Sequence, residues 1–525
     1  MASADLENRA IRVLGDIARV QAGACPNRAA LVFEDRVLSF AALEEDSERI
    51  ACALRASGLA HGARVALLDK NSDTFLVLLL AVAKAGLVAA PINFRLTAQE
   101  VGYILADSEA QLCFAGADLA HLARAAQALA PGLKSVITID APYADQDSLP
   151  SWLERHQHTA VDLQPVQPHD CAIQLYTSGT TGHPKGVELS HRAMVLAAVE
   201  GLGVWPALFR EGAAVLAAMP LFHIAGCNLA LAGLYAGARV EIVRGGSPSE
   251  IIRMIAERSI TVAPLPAATI HDIISLPETA ELDLRCLDTL LIAGSGIAVG
   301  LLREAQRVLK CGFALSYGMT ECCGGLTYLG PQDCVHDAGD RLRSAGKPLG
   351  GSQIRIVDAA GADVAPRCVG EILCRSARVM NGYWKRPDAT AQVLRDGWYH
   401  SGDAGYLDED GYLYVVDRIK DMVVSGGENI YPAEIEAVLV QHPDVDQAAV
   451  IGTPHAKWGE ALLACVVIKP GARFEPSSYE AFLRPVLAGY KIPRRYAALD
   501  ALPRNASGKV LKRELRDRFA ATTTG

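Results

Sequence analysis

The sequence predicts an α/β fold with parallel sheets, continued by a β-rich region and a smaller C-terminal domain. Short apolar strands alternate with amphipathic stretches, as at residues 65–68 before a helix from Phe75, which is the pattern of parallel α/β proteins. From about Ser344, glycines punctuate short strand-like runs such as Gln353–Val357. Glycine at such intervals is typical of tight turns, and it indicates the β-rich region.

Length and composition favour a multidomain globular protein. The chain has 525 residues, of which half are apolar and 21% are charged, so it has ample material for a large core. The 50 Lys and Arg against 59 Asp and Glu give a net charge of −9. A mildly acidic surface disfavours nucleic acids and anionic membranes as partners, so any basic site must be local.

The N-terminal residues and the cysteines indicate the cellular compartment in which the protein works. Residues 1–10 lack the apolar core of a secretory signal, so we expect a cytoplasmic protein. The most apolar run, 75–83, is shorter than the ~20 residues that span a bilayer, which predicts a buried helix and no integral membrane segment. The 13 cysteines form no CxxC pair, as expected for core thiols in a reducing compartment.

Further elements follow in chain order. The sequence predicts a strand at 172–176, a helix from near Ser190 and, after the string DRIKD at 417–421, a helix from Pro432. We expect a domain boundary at Lys420, giving domains 1–419 and 420–525. The segment 491–518 contains nine basic and three acidic residues, and this excess of positive charge suits a small polyanion. A solvated helical face is the alternative, and we prefer it for 512–518 alone.

The most informative motif is YTSGTTGHPKG at 176–186. Its composition is that of a phosphate cradle, because glycines let backbone amides converge on an anion, hydroxyls add donors and a lysine adds charge. It lacks the Gly-Lys-Ser/Thr of a Walker loop. The cradle residues are Gly179, Gly182, Gly186, Ser178, Thr180, Thr181 and Lys185.

A second motif, SYGMTE at 316–321, follows a predicted strand at 312–315. Tyr317 offers a flat face for a purine, Thr320 a hydroxyl for a phosphate and Glu321 a hard oxygen ligand for Mg²⁺. By itself this string would be an ordinary strand end.

Two shorter motifs lie in the last third of the chain. GWYHSGDAG at 397–405 places Asp403 between glycines, where a carboxylate could accept ribose hydroxyls or bond its own backbone in a turn. PRNASGK at 503–509 ends in a lysine on a turn. An isolated lysine of this kind would normally lie on the surface.

In this order, the four motifs closely resemble the adenylate-forming superfamily of acyl-CoA synthetases, aryl-CoA ligases, non-ribosomal peptide adenylation domains and firefly luciferase. The resemblance covers most of the chain and includes PLFH at 220–223, NGYW at 381–384, DRIKD at 417–421, SGGENIYP at 425–432 and YKIP at 490–493. The departures are Ser401, where Thr is commoner, and the pair Cys322 and Cys323.

The resemblance implies a large N-terminal domain of stacked α/β subdomains plus a β-rich subdomain, and a small mobile α+β C-terminal domain. It also implies a reaction in two halves. ATP and a carboxylate give an acyl-AMP and pyrophosphate, and a thiol, usually that of CoA, then displaces AMP. The implied cofactors are therefore ATP, Mg²⁺ and CoA as co-substrate.

The same resemblance assigns roles by motif match. Lys509 would bridge the carboxylate and the α-phosphate, His223 would line the acid pocket, and Glu321 with Thr180 would hold Mg²⁺. Lys420 would be the hinge, and Gly426 and Gly427 would line the CoA tunnel. ATP or AMP would be bound by Thr177, Ser178, Gly179, Thr180, Thr181, Gly182, Lys185, Gly294, Ser295, Tyr317, Gly318, Thr320, Asp403 and Arg418.

The substrate is expected to be an apolar carboxylic acid, medium- or long-chain fatty acids first. The stretches 223–233, 292–299 and 318–328 would form the pocket, and apart from His223 and Glu321 they carry no charged or imidazole side chain. A buried unpaired charge is costly, which disfavours dicarboxylates and amino acids. Small residues would leave room for a tail: Gly226, Ala230, Ala232, Gly233, Gly324 and Gly325.

Other functions stay open. The chain could be an aryl-CoA ligase, or an adenylation protein that loads a phosphopantetheinyl carrier. A luciferase-like or non-catalytic member is disfavoured by the intact Lys509, Glu321 and Asp403. We expect the carboxylic acid, ATP and CoA as small-molecule partners, and the sequence is compatible with a homodimer.

Overall fold

The computed structural model describes residues 11–520 except 141, 143, 145–146, 157–163, 178–182, 293–296, 336–338, 426–427, 456–457 and 505–508; at 428, 429, 459 and 520 it describes the backbone only. The chain forms two compact units, one of Met1–Gln353 with Cys374–Tyr399 and one of Ile354–Leu373 with His400–Gly525. The moving-domain boundary expected at Lys420 lies inside the second unit and stays a prediction.

The first unit contains an eight-stranded sheet that carries the phosphate motif. Its strands from Cys171–Thr177 outward to Asp147–Ser148 are parallel, whereas Lys185–Ser190 and Gly382–Tyr383 continue the sheet antiparallel. The spatial order is Gly382–Tyr383, Lys185–Ser190, Cys171–Thr177, Val88–Pro91, Arg64–Leu68, Leu112–Ala115, Ser135–Thr138 and Asp147–Ser148.

A second sheet of the first unit has seven strands and is parallel except for its last, antiparallel pair. The order is Gly312–Leu315, Thr289–Ile292, Val262–Leu265, Ala214–Ala217, Arg239–Ile242, Ala29–Phe33 and Arg36–Ser39. The predicted α/β class with parallel sheets is therefore confirmed. Two short antiparallel pairs join Gly318–Met319 to Gly324–Gly325 and Thr327–Tyr328 to Lys347–Pro348.

Helices connect these strands. The apolar run from Phe75 lies in the helix Asp73–Lys84, which Ser72 caps by accepting the Phe75 N–H at 3.0 Å. Residues 75–83 are all buried, as expected of a helix that is apolar on every side. None of the described helices is long and apolar enough to cross a membrane. The helices of this unit are Asp16–Ala24, Phe40–Ala56, Asp73–Lys84, Ala98–Asp107, Ala120–Gln127, Leu149–His156, His191–Val204, Ile224–Ala236, Pro248–Glu257, Ala267–Ile274, Val299–Leu309 and Pro387–Val393.

The strand that follows the phosphate motif was missed by the sequence reasoning. The region between the strand at 172–176 and the helix from Ser190 contains the strand Lys185–Ser190, so the phosphate motif ends inside a β-hairpin. Ser190 caps the predicted helix, which runs His191–Val204.

The second unit is β-rich, as predicted for the region after Ser344. It contains the strands Gln353–Val357, Gly370–Arg375, Trp398–Leu407 and Leu413–Arg418. Of these, Gln353–Val357 and Trp398–Leu407 begin in the first unit. A second sheet has the order Glu428–Ile430, Val423–Ser425, Gly459–Ile468 and Val445–His455, with Arg495–Ala498 parallel to Gly459–Ile468. Its helices are Pro432–Leu439, Pro476–Leu483 and Lys512–Ala520.

Candidate active site

The phosphate motif is anchored at both ends by the sheet of the first unit. Thr177 ends one strand and pairs with Lys185, which begins the next. Directly before Lys185, the carbonyl of Pro184 accepts the Tyr103 hydroxyl at 3.1 Å. Thr177 and Lys185 therefore flank the turn that should hold phosphates. The residues between them that were assigned to ATP binding lie outside the described part of the chain: Ser178, Gly179, Thr180, Thr181 and Gly182.

Glu321 lies beside Thr177. It sits in the short 3₁₀ turn Thr320–Cys322, and its Oε1 accepts the Tyr383 hydroxyl at 3.0 Å and the Thr177 hydroxyl at 3.4 Å. The Lys185 ammonium is 5.0 Å from the centroid of the Tyr383 ring. The structure thus brings the predicted Thr177, Lys185 and Glu321 together around Tyr383, to which no role was assigned.

The loop that carries Tyr317 and Thr320 is tightly folded. A Cβ on Gly318 would lie 2.0 Å from the Gly324 carbonyl, so only glycine permits this approach of two backbones. The Thr327 hydroxyl accepts the Tyr317 N–H at 3.2 Å and donates to the Ala345 carbonyl at 2.6 Å. These contacts fix the backbone from which Tyr317 and Thr320 project.

The donor set is suited to Mg²⁺ held jointly with a nucleotide. Among the described residues no group of three or more His, Cys, Asp and Glu side chains could hold a metal ion. Mg²⁺ sites in nucleotide enzymes commonly use one or two carboxylates and complete their coordination with phosphate oxygens and water. Glu321 fits that requirement, with the Thr177 hydroxyl beside it.

His223 begins the helix Ile224–Ala236 and is held by a loop that Asn71 organises. The Asn71 amide donates to the carbonyls of Ala217, Met219 and Val243 at 3.2, 3.0 and 3.1 Å, and its oxygen accepts the Leu221 N–H at 2.9 Å. Three of these partners, Ala217, Met219 and Leu221, lie just before His223, so one buried side chain fixes that stretch. Sequence reasoning missed Asn71, because nothing local marks its distant partners.

The His223 imidazole is neutral at ordinary pH. Burial, followed by the charge of Arg95, lowers the pKa of His223 to about 4. Its Nε2 has no hydrogen-bond partner among the residues that the structure describes. An unpaired buried imidazole nitrogen costs free energy unless a ligand satisfies it, which fits a place in the acid pocket.

Apolar side chains meet near this helix, and of these Leu229 and Tyr328 belong to the predicted pocket stretches, whereas Leu291 and Ala314 lie outside them. Leu229, Leu291 and Ala314 form a buried cluster against Trp205 and Tyr328. The two aromatic rings meet edge to face, with centroids 6.1 Å apart. Trp205 was not among the predicted pocket residues.

The argument from small residues is wrong where the glycines pack directly against neighbouring atoms. A Cβ on Gly226 would lie 2.3 Å from the Pro220 carbonyl, and one on Gly233 would lie 2.9 Å from a Val215 methyl. These positions are small because the helix packs directly against neighbouring chain, so they do not enlarge a cavity. Likewise, a Cβ on Gly324 would meet the Asn228 amide at 2.7 Å, and that amide donates to the Cys323 carbonyl at 2.8 Å.

The second unit gathers another set of predicted residues. Asp403 and Arg418 are paired across neighbouring strands, with Arg418 Nε 3.6 Å from Asp403 Oδ1. Lys420 follows in the turn Ile419–Asp421, and burial followed by the charge of Arg418 lowers its pKa. Asp421 is itself ion-paired with Arg516 at 2.8 Å.

Lys509 belongs to this same group. The residue as a whole is exposed, yet the protein atoms around its ammonium group lower the pKa of Lys509 to about 8. The positive charges of Arg418 and Lys420 act in the same direction, and Asp403 opposes them. Sequence-distant residues that were predicted separately are therefore neighbours in the second unit.

Four further predictions lie outside the described residues and stay predictions. They concern Gly294 and Ser295 in nucleotide binding and Gly426 and Gly427 in the CoA tunnel.

Two family models, taken together, and two relatives match this chain over most of its length. A family model for AMP-binding enzymes matches residues 18–384, and a model for the C-terminal domain of AMP-binding enzymes matches residues 434–509. A fatty acid–[acyl-carrier-protein] ligase of Streptomyces coeruleorubidus is 40% identical over 496 residues, which cover 94% of each chain. A feruloyl-CoA synthase of an Amycolatopsis species is 38% identical over 94% of this chain and 96% of its own.

A solved structure agrees with these relatives. The o-succinylbenzoate CoA synthetase of Bacillus subtilis, in complex with its acyl-adenylate intermediate, superposes with a TM-score of 0.83 at 30% identity and covers 95% of this chain and 98% of its own. The same enzyme has also been solved with ATP and a magnesium ion.

Proposed function

This chain belongs to the AMP-binding enzyme family, and on that premise we propose that it is an ATP-dependent acid–thiol ligase. It activates a carboxylic acid as an acyl-AMP and then transfers the acyl group to the thiol of CoA. The relative named as a feruloyl-CoA synthase and the solved acyl-adenylate complex support this reaction class.

The observation that carries the proposal is the grouping of Thr177, Lys185 and Glu321 at one end of a sheet. A carboxylate and a triphosphate repel each other, so the protein must supply positive charge and positioning. Lys185 supplies charge for the β- and γ-phosphates, and the Thr177 hydroxyl, which donates to Glu321 Oε1, helps to hold the carboxylate in place. Mg²⁺, when bound through Glu321, neutralises part of the phosphate charge and so eases attack by the acid.

The remaining roles follow the same chemistry. Tyr317 stacks on adenine, Thr320 contacts the α-phosphate, and Asp403 with Arg418 binds the ribose. Lys509 bridges the acid and the α-phosphate, and neither half-reaction needs a covalent enzyme nucleophile. The grouping of Lys509 with Asp403 and Arg418 supports this assignment.

The preferred acid is apolar, with medium- or long-chain fatty acids as the first candidates. The buried cluster of Leu229, Leu291 and Ala314 supports an apolar wall. The buried guanidinium of Arg378 is paired with Glu200 at 2.8 Å and bonds Ser352. It therefore offers no spare charge to the far end of a dicarboxylate.

An aryl acid is the second candidate, and one observation favours it. The edge-to-face pair of Trp205 and Tyr328 presents aromatic surface beside the apolar cluster, where a substrate ring would find favourable geometry. The named substrates of the relatives include both fatty and aromatic acids.

Pyrophosphate release across acetate, C6–C16 fatty acids, benzoates, hydroxycinnamates, malonate and amino acids tests the substrate class. For a fatty-acid pocket, kcat/KM should rise about fourfold per methylene, because each buried methylene contributes ~0.8 kcal/mol, until the pocket is full. A preference for benzoates or hydroxycinnamates would move the assignment to the aryl alternative. Preference for acetate or malonate would contradict the apolar pocket.

The acceptor needs its own assay, because the 40% identical relative is named for an acyl-carrier protein. With the best acid, thioester formation should be measured against CoA and against a phosphopantetheinylated carrier protein at equal thiol concentration. We expect the higher kcat/KM with CoA. Turnover with the carrier and none with CoA would make the chain a carrier-loading protein.

A further inference from the structure

The segment 380–383 holds Glu321 at two points. The Met380 N–H donates to the Glu321 carbonyl at 2.8 Å, and the Tyr383 hydroxyl donates to Glu321 Oε1 at 3.0 Å. One contact fixes the backbone of Glu321 and the other fixes its carboxylate. A short segment that grips both the backbone and the side chain of one residue determines where that side chain points.

Tyr383 is itself rigidly placed. It lies in the two-residue strand Gly382–Tyr383, opposite Val187, and its N–H donates to the Thr390 hydroxyl at 2.9 Å. The next N–H, of Trp384, donates to the Gly186 carbonyl at 2.8 Å. Tyr383 is 8% exposed, so its hydroxyl has little freedom to turn elsewhere.

A second tyrosine, Tyr399, lies beside Tyr383. Burial, followed by the charge of Glu321, raises the pKa of the Tyr383 hydroxyl, and the neighbouring Tyr399 hydroxyl opposes that shift. Tyr399 is also buried. The Tyr399 side chain therefore lies next to the hydroxyl that holds Glu321.

We propose that Tyr383 is a positioning residue for Glu321, and this inference rests on the proposed function of Glu321 as the Mg²⁺ ligand. The hydrogen bonds from Tyr383 and Thr177 both go to Oε1, which leaves Oε2 as the oxygen for the cation. Without the Tyr383 hydroxyl, the carboxylate loses its shorter hydrogen bond and samples other rotamers. The cation then binds more weakly, whereas the nucleotide itself is unaffected.

Tyr383→Phe tests this directly, because it removes the hydroxyl and keeps the ring beside Lys185. Calorimetric titration without the acid should give the dissociation constant of MgATP and, in EDTA, that of metal-free ATP. We expect MgATP binding to weaken about tenfold and metal-free ATP binding to change less than twofold. At saturating MgATP the KM for the acid should also stay within twofold.

Two variants complete the design. Tyr399→Phe should weaken MgATP binding in the same direction by a smaller factor, and it keeps the test valid if Tyr383→Phe does not fold. Tyr479→Phe removes a buried hydroxyl in the second unit, where it bonds the Arg473 carbonyl, and it should leave both dissociation constants unchanged.

The outcomes separate the inference from the proposed function. If Mg²⁺ does not tighten ATP binding by the wild-type protein, the proposed role of Glu321 is wrong. If Mg²⁺ tightens it and Tyr383→Phe binds MgATP as well as wild type, Tyr383 does not position the ligand. Equal weakening of MgATP and metal-free ATP would also overturn the inference, because Tyr383 would then act on the nucleotide or the fold.

Discussion

The charge of Lys509 makes the pH dependence of adenylation a sensitive measure of its role. Burial, Arg418 and Lys420 lower the pKa of Lys509 to about 8, so the ammonium loses its proton two or more pH units earlier than an ordinary lysine. The proposed role requires the cation. Adenylation should therefore be retained below pH 8 and lost as the pH rises through this value.

The size of the effect follows from the pKa. With a pKa of about 8, roughly nine-tenths of the enzyme carries the charge at pH 7 and roughly one-tenth at pH 9. The kcat/KM for ATP reports groups of the free enzyme, so it should fall about tenfold between these pH values, with a slope of −1 above the inflection. Removing one neighbouring positive charge by Lys420→Gln should move the inflection to higher pH.

Pyrophosphate release under saturating acid measures this profile. Lys469→Gln is a matched control, since Lys469 is an exposed lysine of the same unit, and it should leave the inflection in place. Substrate ionisation is common to all variants and cancels in their comparison. Lys509→Ala should abolish acyl-AMP formation but leave CoA attack on supplied acyl-AMP largely intact. An inflection near pH 10 that Lys420→Gln does not move would refute the reasoning, as would equal loss of both half-reactions in Lys509→Ala.

Two other substitutions test separate parts of the molecule. Lys420→Pro should spare pyrophosphate release and impair thioester formation, because proline fixes φ near −65° at the expected hinge; unchanged overall turnover would place the hinge elsewhere. Asn71→Leu should lower the free energy of unfolding by about 3 kcal/mol in urea titration, because the Leu221 N–H and the Met219 carbonyl lose this partner at ~1–3 kcal/mol each. It should also raise the KM for the acid more than that for MgATP, and an equal rise in both would argue against a specific effect on the His223 loop.

The apolar and glycine patterns predicted the local elements well. The strand before the phosphate motif, the buried helix from Phe75 and the helix from Pro432 all form near their expected positions, because each depends on periodicity and capping within a few residues. The strand Lys185–Ser190 was missed. Its residues pair with both Cys171–Thr177 and Gly382–Tyr383, and the second partner lies almost two hundred residues away in sequence.

The candidate site also contains some residues that the sequence predicts and others that only the tertiary structure reveals. The order of the four motifs was enough to recognise the family, and the resemblance assigned roles to Lys185, Glu321, Asp403 and Lys509 that stay predictions. The residues that place these groups could not be found in this way. Tyr383 reaches Glu321 from 62 positions downstream, and within the chain it is only one tyrosine among 15.

The residue types and local spacings thus specify the elements, the family and the chemistry of nucleotide binding. Tertiary packing adds what spacing cannot encode. Asn71 holds the loop before His223 from 150 positions away, and Gly226 packs on a carbonyl instead of widening a pocket. The pKa of Lys509 falls because of burial and, after that, the neighbouring charges of Arg418 and Lys420. Each of these depends on strand register and helix packing across the whole unit, since a contact between distant residues forms only when every intervening element has taken its place.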